Sequence, residues 1–92
     1  MGTALVKLKI MPNSPEADMQ DIQTKAEAII KEIADEKRGI KFQTEEIAFG
    51  LKSLTASFAM YESHELEPIE NKITALEQVT SAEVEDFRRA FG

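Results

Sequence analysis

The chain contains no cysteine, a single histidine and only four glycines, and each shortage removes a class of chemistry. Without cysteine there is no thiolate pair after the first strand to carry a soft metal, and the composition fits a reducing compartment. The glycines, Gly2, Gly39, Gly50 and Gly92, are scattered, so there is no glycine-rich phosphate loop. No apolar run approaches the roughly 20 residues needed to span a bilayer. Met1 to Lys7 passes directly into an alternating pattern and lacks a signal-peptide layout. A cytoplasmic protein is expected. The one histidine, His64, lies among Glu62 and Glu65 in a polar stretch whose spacing matches no zinc or calcium pattern, so a surface histidine is the expected reading. No metal, cofactor or covalent catalysis is expected, because no nucleophile or acid–base pair presents itself.

Positive charge is also scarce. Seventeen acidic residues against 11 basic ones give a net charge of −6. Phosphate backbones and anionic membranes repel such a chain, which favours a protein or small-molecule partner, with no direct nucleic acid and no membrane. Ninety-two residues of ordinary apolar content make one domain, 1–92.

What the chain does have is clear periodicity. Ala4, Val6, Leu8 and Ile10 alternate with Leu5, Lys7 and Lys9, predicting a strand that Pro12 ends. Ser14-Pro15-Glu16 predicts a helix start, Ser14 as cap and Pro15 in the first helical position. Met19, Ile22, Ala26, Ile29 (with Ile30) and Ile33 then form an apolar stripe, closed by Lys37-Arg38-Gly39. Ile40 to Thr44 alternates briefly. In Leu54 to Met60 the apolar positions face in, and Ser53, Thr55 and Ser57 face out. Leu66, Ile69, Ile73 and Leu76 predict a second helix of three turns with Pro68 in its opening turn, and Val79-Thr80-Ser81 leads into a last strand in which Ala82 and Val84 alternate with Glu83 and Glu85. The expected core is Val6, Leu8, Ile10, Ile22, Ala26, Ile29, Ile33, Phe42, Leu54, Ala56, Phe58, Ile69, Ile73, Leu76 and Val84.

Four one-sided strands and two amphipathic helices in the order β-α-β-β-α-β predict an α+β, two-layer sandwich. The right-handed crossover rule makes this the ferredoxin-like arrangement, a four-stranded antiparallel sheet with the first and third strands central. The fold hosts unrelated activities. An RNA-binding version would stack bases on aromatics of the open sheet face, where this chain has Lys7, Lys9, Ser53, Thr55 and Ser57. A small-molecule-binding regulatory module acting as a dimer needs no local motif and stays open as an alternative.

One stretch, Glu45 to Leu54, invites a functional reading. Gly50 can adopt positive φ, so the chain can turn there with Phe49 at the bend. Either Phe49 closes the end of the core or it is an aromatic offered to a partner. Arg88 and Arg89 read, from the residues alone, as a solvated charged end. Lys52 reads as a sheet-face lysine beside a strand glutamate, and Phe87 and Phe91 as packing under the final turn.

Three segments together carry a resemblance: Ile10-Met11-Pro12-Asn13-Ser14-Pro15-Glu16, Ile47-Ala48-Phe49-Gly50-Leu51-Lys52-Ser53-Leu54, and Val84-Glu85-Asp86-Phe87-Arg88-Arg89. Over nearly its whole length the chain resembles the archaeal elongation factor 1-beta family, guanine-nucleotide exchange factors of the translational GTPase elongation factor 1-alpha. The resemblance implies that partner, a monomer when free, and a single exchange domain over 1–92. It implies that Phe49 contacts the GTPase, with Gly50 and Lys52 beside it. The eukaryotic members end in a penultimate lysine that reaches the magnesium and phosphate region. That lysine falls on Arg89, after Phe87 and Arg88, and this chain departs in having arginine and in continuing through Ala90-Phe91-Gly92.

Overall fold

Strand β1 (Thr3–Pro12) is the spine of the sheet, because it is paired along its length on both sides. Its even-numbered residues Ala4, Val6, Leu8 and Ile10 are buried and its odd-numbered Leu5 and Lys7 are exposed, as a half-buried strand requires. In the computed structural model, which describes residues 2–34, 39–48 and 50–90, β3 (Leu51–Tyr61) runs antiparallel to it from Thr3↔Tyr61 to Ile10↔Leu54. On the other side β4 (Val79–Ala90) pairs from Thr3↔Ala90 to Pro12↔Val79. β2 (Ile40–Ala48) adds to the outer edge of β3, giving the order β2-β3-β1-β4. Helices α1 (Met19–Ile30) and α2 (Glu67–Thr74) bury Ile22, Ala26, Ile30, Ile69 and Ile73 against one face. The result is the ferredoxin-like α+β sandwich that the periodicity predicts.

The helices are shorter than predicted, for identifiable reasons. Ser14 does not cap α1. Its Oγ accepts from the Glu16 N–H at 3.1 Å and its carbonyl accepts from Ala17 at 3.2 Å, which makes residues 14–17 a turn with Pro15 in its favoured position. Asp18 is the cap, accepting through Oδ1 from Gln20 N–H (3.1 Å) and Asp21 N–H (3.2 Å). At the other end the helix stops at Ile30, and tight turns through Ile33 and Ala34 still bury both side chains. Ile30, not Ile29, is thus the fully buried member of that stripe. Lys37 and Arg38 lie outside the described residues, and Gly39 has φ 71°. α2 has two turns and no side-chain cap, so Leu66 and Leu76 flank it, partly buried.

Both outer strands are longer than predicted and both are bulged. β2 continues to Ala48 with one residue, Ile47, unmatched between Glu46↔Lys52 and Ala48↔Leu51. β4 continues through Ala90, with Glu85 unmatched between Val84↔Leu8 and Asp86↔Lys7. α2, about 12 Å long, cannot roof a strand about 40 Å long, and Val84, predicted as core, is 36% exposed. Phe42 is likewise only partly buried on the outer strand.

Ser53 departs furthest from expectation. It shares the open face with Thr55 and Ser57 but is 0% exposed, with the long side chain of Glu45 opposite it on β2. Its Oγ has no hydrogen-bond partner among the described residues. A buried, unpaired hydroxyl costs about 1–3 kcal/mol. Ser53→Ala should therefore raise stability by roughly 1 kcal/mol in urea denaturation, whereas a loss of that size would mean the hydroxyl is bonded.

Glu70 in α2 has its carboxyl pushed above the usual range, first by partial burial and then by the negative charges of Glu67 and Glu83. A raised carboxyl pKa in the folded state penalises folding above that pKa, and the penalty fades as pH falls toward the unfolded value. Glu70→Gln should stabilise the protein at pH 7 and lose that advantage near about pH 4. Denaturation midpoints at the two pH values test the sign.

Candidate partner-binding site

The β2–β3 hairpin closes where Ala48 pairs with Leu51, so the connection is the dipeptide Phe49-Gly50. Gly50 has φ 79°, a conformation that excludes most other residues and makes the bend expected there. Phe49 itself lies outside the described residues. Around the hairpin an apolar surface is visible. The bulge turns Ile47 out of the strand's alternation, leaving it 45% exposed. With Met11, Pro12, Pro15 and Leu51 it lines a shallow, open cleft of ≈ 520 Å³. Lys52 is exposed on the helix side of this end, opposite Glu46, as its reading beside a strand glutamate anticipated.

The wall of this cleft formed by residues 13–18 is fastened from across the molecule. Gln78, just before β4, accepts the Asp18 N–H through Oε1 at 2.8 Å and donates through Nε2 to Asp21 Oδ2 at 3.0 Å. Its carbonyl accepts from the Asn13 N–H at 2.9 Å, and Asn13 Nδ2 donates to the Glu77 carbonyl at 2.8 Å. Three of these hydrogen bonds tie the loop after β1 to the connection before β4, and the fourth ties that connection to α1. Pro15 comes within 3.9 Å of where a Gly50 Cβ would stand, which places the hairpin beside this fastened loop.

The remaining candidates lie at the opposite end. Arg88 and Arg89 are solvated, but they belong to a strand and not to a loose tail, opposite Leu5 and Ala4. The bulge at Glu85 shifts the alternation by one, so Arg88 shares the open face with Asp86, and Phe87 and Arg89 share the helix side. Arg88 Nε is 3.1 Å from Asp86 Oδ2, and Arg89 Nε is 3.7 Å from Glu62 Oε1. Phe87 does not pack under a final turn; it is 47% exposed on the edge strand. Phe91 lies outside the described residues. Seven residues of β1, about 23 Å of strand, separate the position opposite Arg88 from Pro12 at the hairpin end. The six candidates therefore form two groups, Phe49, Gly50 and Lys52 at one end and Phe87, Arg88 and Arg89 at the other. The two consecutive arginines lie on opposite faces of the sheet.

Ile47, Gln78 and Glu62 escaped the sequence reading. A bulge has no signature in the alternation of a short strand, and a glutamine in a connection looks like any polar loop residue. No group of three or more metal-ligating side chains exists among the described residues, and His64 is exposed, its ring 6.4 Å from that of Tyr61. No helix among them is long and apolar enough to cross a membrane.

The described residues thus present two exposed ends on a ferredoxin-like frame. The EF-1 guanine nucleotide exchange domain model matches residues 5–90, and the chain belongs to that family. It is 36% identical over 88 residues to the elongation factor 1-beta of Methanococcus maripaludis strain C7, covering 91% of this chain and 93% of that protein. It is 32% identical over 93 residues to the elongation factor 1-beta of Haloarcula marismortui, covering 97% and 99%. The corresponding protein of Methanocaldococcus jannaschii is 34% identical over 84 residues, covering 90% and 92%. The role is nucleotide exchange in translation elongation, which selects against the regulatory-module alternative.

Gln78→Ala removes two side-chain hydrogen bonds, one to a carboxylate, and leaves the Asp18 N–H without that acceptor. It should lower stability by about 1–3 kcal/mol. Amide exchange should speed up at Asp18 while protection in the centre of β1 is unchanged; uniform loss across the sheet would contradict a local fastening.

Proposed function

We propose that this chain accelerates the exchange of GDP for GTP on elongation factor 1-alpha by engaging it at both ends of the sheet. The hairpin end, with Phe49 at its bend and Ile47, Gly50 and Lys52 around it, is the anchor. The opposite end supplies Arg89 to the magnesium and phosphate region, with Phe87 packing beside it and Arg88 on the other face as a peripheral contact. The observation that carries this reading is the family match over residues 5–90, which includes both ends. The exposure of apolar Ile47 and Phe87 supports it, since large apolar groups left in water suit a partner surface.

Exchange needs no bond to form or break. The factor binds the GTPase conformation that holds nucleotide poorly, and linkage makes the two affinities oppose each other equally. A cation brought near the bound magnesium repels it, and the phosphates then lose much of their anchoring. Arginine keeps the charge of the lysine in the eukaryotic proteins. Its planar, forked head suits two phosphate oxygens better than the compact position of a metal, so Arg89 competes with the magnesium for the phosphate oxygens that anchor it. On this reading the protein works as a cytoplasmic monomer when free, with no direct contact to nucleic acid or membrane and no covalent catalysis of its own.

Fluorescent GDP leaving elongation factor 1-alpha, followed by stopped flow, tests the assignment. Phe49→Ala should raise the factor concentration needed for half-maximal release by about tenfold or more, as loss of a hot-spot aromatic does. Arg89→Ala should lower the maximal release rate with less effect on that concentration. Wild-type release by both variants would refute the two-ended assignment.

A further inference from the structure

Gly2 lies beneath the carboxylate of Glu62, the ion-pair partner of Arg89. The Glu62 N–H donates to the Gly2 carbonyl at 3.1 Å, continuing the β1–β3 pairing one residue beyond Thr3↔Tyr61. A Cβ on Gly2 would lie 2.7 Å from Glu62 Oε2, 2.9 Å from its Cδ and 3.2 Å from Oε1. The carboxylate therefore occupies the space in which any other residue at position 2 would put its side chain. On the far side of β1, Arg89 is opposite Ala4, on the same helix-side face, with its Nε 3.7 Å from Glu62 Oε1. Glu62 continues the line of β3 beside Gly2 and Arg89 belongs to β4 opposite Ala4, so β1 lies between them. Backbones two strands apart are separated by roughly 10 Å, and the two side chains meet diagonally across β1 over a glycine and an alanine, the Glu62 carboxylate lying in the space a side chain at position 2 would take.

From this geometry we infer that Glu62 is a positioning residue for Arg89, seated over Gly2 so that its carboxylate holds the Nε edge of the guanidinium in place. The inference rests on the proposed action of Arg89 at the nucleotide. An arginine has five N–H donors in a rigid fork, and a partner on Nε leaves both terminal amino groups for an anion. Holding this edge also removes rotamers that docking would otherwise have to freeze. Arg89 is 81% exposed along its side chain, so the contact is far too open to contribute much to folding. Its consequence is orientation at the one end of the sheet where a cation is to be delivered.

The same GDP-release experiment separates the possibilities with four variants. Glu62→Ala removes the carboxylate, and Gly2→Ala displaces it while leaving it in the protein. Gly2 is outside the left-handed region, so alanine fits its backbone. Each should lower the maximal release rate roughly two- to fivefold, as expected for loss of one exposed ion pair. Neither should change the concentration for half-maximal release or the thermal midpoint. In an Arg89→Gln background, adding Glu62→Ala should change nothing further. If Arg89→Gln alone releases GDP at the wild-type rate, the role of Arg89 is wrong and the inference goes with it. If Arg89→Gln is slow while Glu62→Ala and Gly2→Ala match wild type, positioning by Glu62 is overturned and Arg89 stands. If Glu62→Ala slows release equally in the Arg89→Gln background, Glu62 acts on the partner independently, which also overturns the inference.

Discussion

A strand assigns its side chains to faces by counting in twos, and a single additional residue reverses every assignment beyond it. In β4 that residue is Glu85. Unbulged, the strand would aim Asp86 and Arg88 toward the helices and leave Phe87 and Arg89 on the open face. With the bulge, Arg89 comes to the side where Glu62 and Gly2 lie, and Phe87 faces the helix layer beyond the reach of α2. One inserted residue at an edge strand thus selects which of two adjacent arginines has a carboxylate across the sheet and which has one on its own strand. Edge strands tolerate such insertions because only one neighbour must accommodate the lost register.

The bulge at Ile47 has the complementary effect at the other end. It lifts an isoleucine out of the alternation next to a glycine turn, creating apolar surface without lengthening the hairpin. Exposed apolar surface on a mobile loop would be an aggregation hazard and a poor anchor. Here the adjoining loop is fixed by Gln78 and Asn13 through backbone groups on both sides, so the cleft beside Ile47 has one firm wall. Hydrogen bonds to backbone groups suit this use, because they restrain where the chain goes without needing a buried side chain.

The architecture was readable because it rests on repetition. The even-numbered residues of β1 and the threefold and fourfold spacings of Ile22, Ala26, Ile69 and Ile73 each average over many positions, so an error at one residue does not move an element. Events confined to one residue were not readable. Ser14 and Asp18 are both good caps four residues apart, and they are distinguished only once Ser14 is seen to close a turn with Glu16 and Ala17 while Asp18 accepts from Gln20 and Asp21. Ser53 looks like a solvated strand serine until it is seen buried opposite Glu45. The candidate site was legible as a set of residues through the family's three segments, which fall at the ends of strands. Its division into two separated groups was not, since that follows from β4 continuing in the sheet where a charged tail was expected.

On the proposed reading, the separation gives the fastening of the loop beside the hairpin a meaning for the distant end. β1 is hydrogen-bonded on both sides along nearly its whole length, so it transmits a tilt at one end to the other with little loss. Over a lever of about 23 Å, a rotation of about 5° at the anchor displaces the far end by about 2 Å, more than enough to take a guanidinium out of hydrogen-bond range of a phosphate oxygen. An anchor that only held the partner would do its work with a loose loop. On the proposed two-ended reading, an anchor that also aims Arg89 needs the loop after β1 held to the start of β4, the strand that carries that arginine. Gln78 makes that connection within one residue of β4's first residue, Val79, so the hairpin wall and the arginine strand are referenced to each other and not merely to the same core.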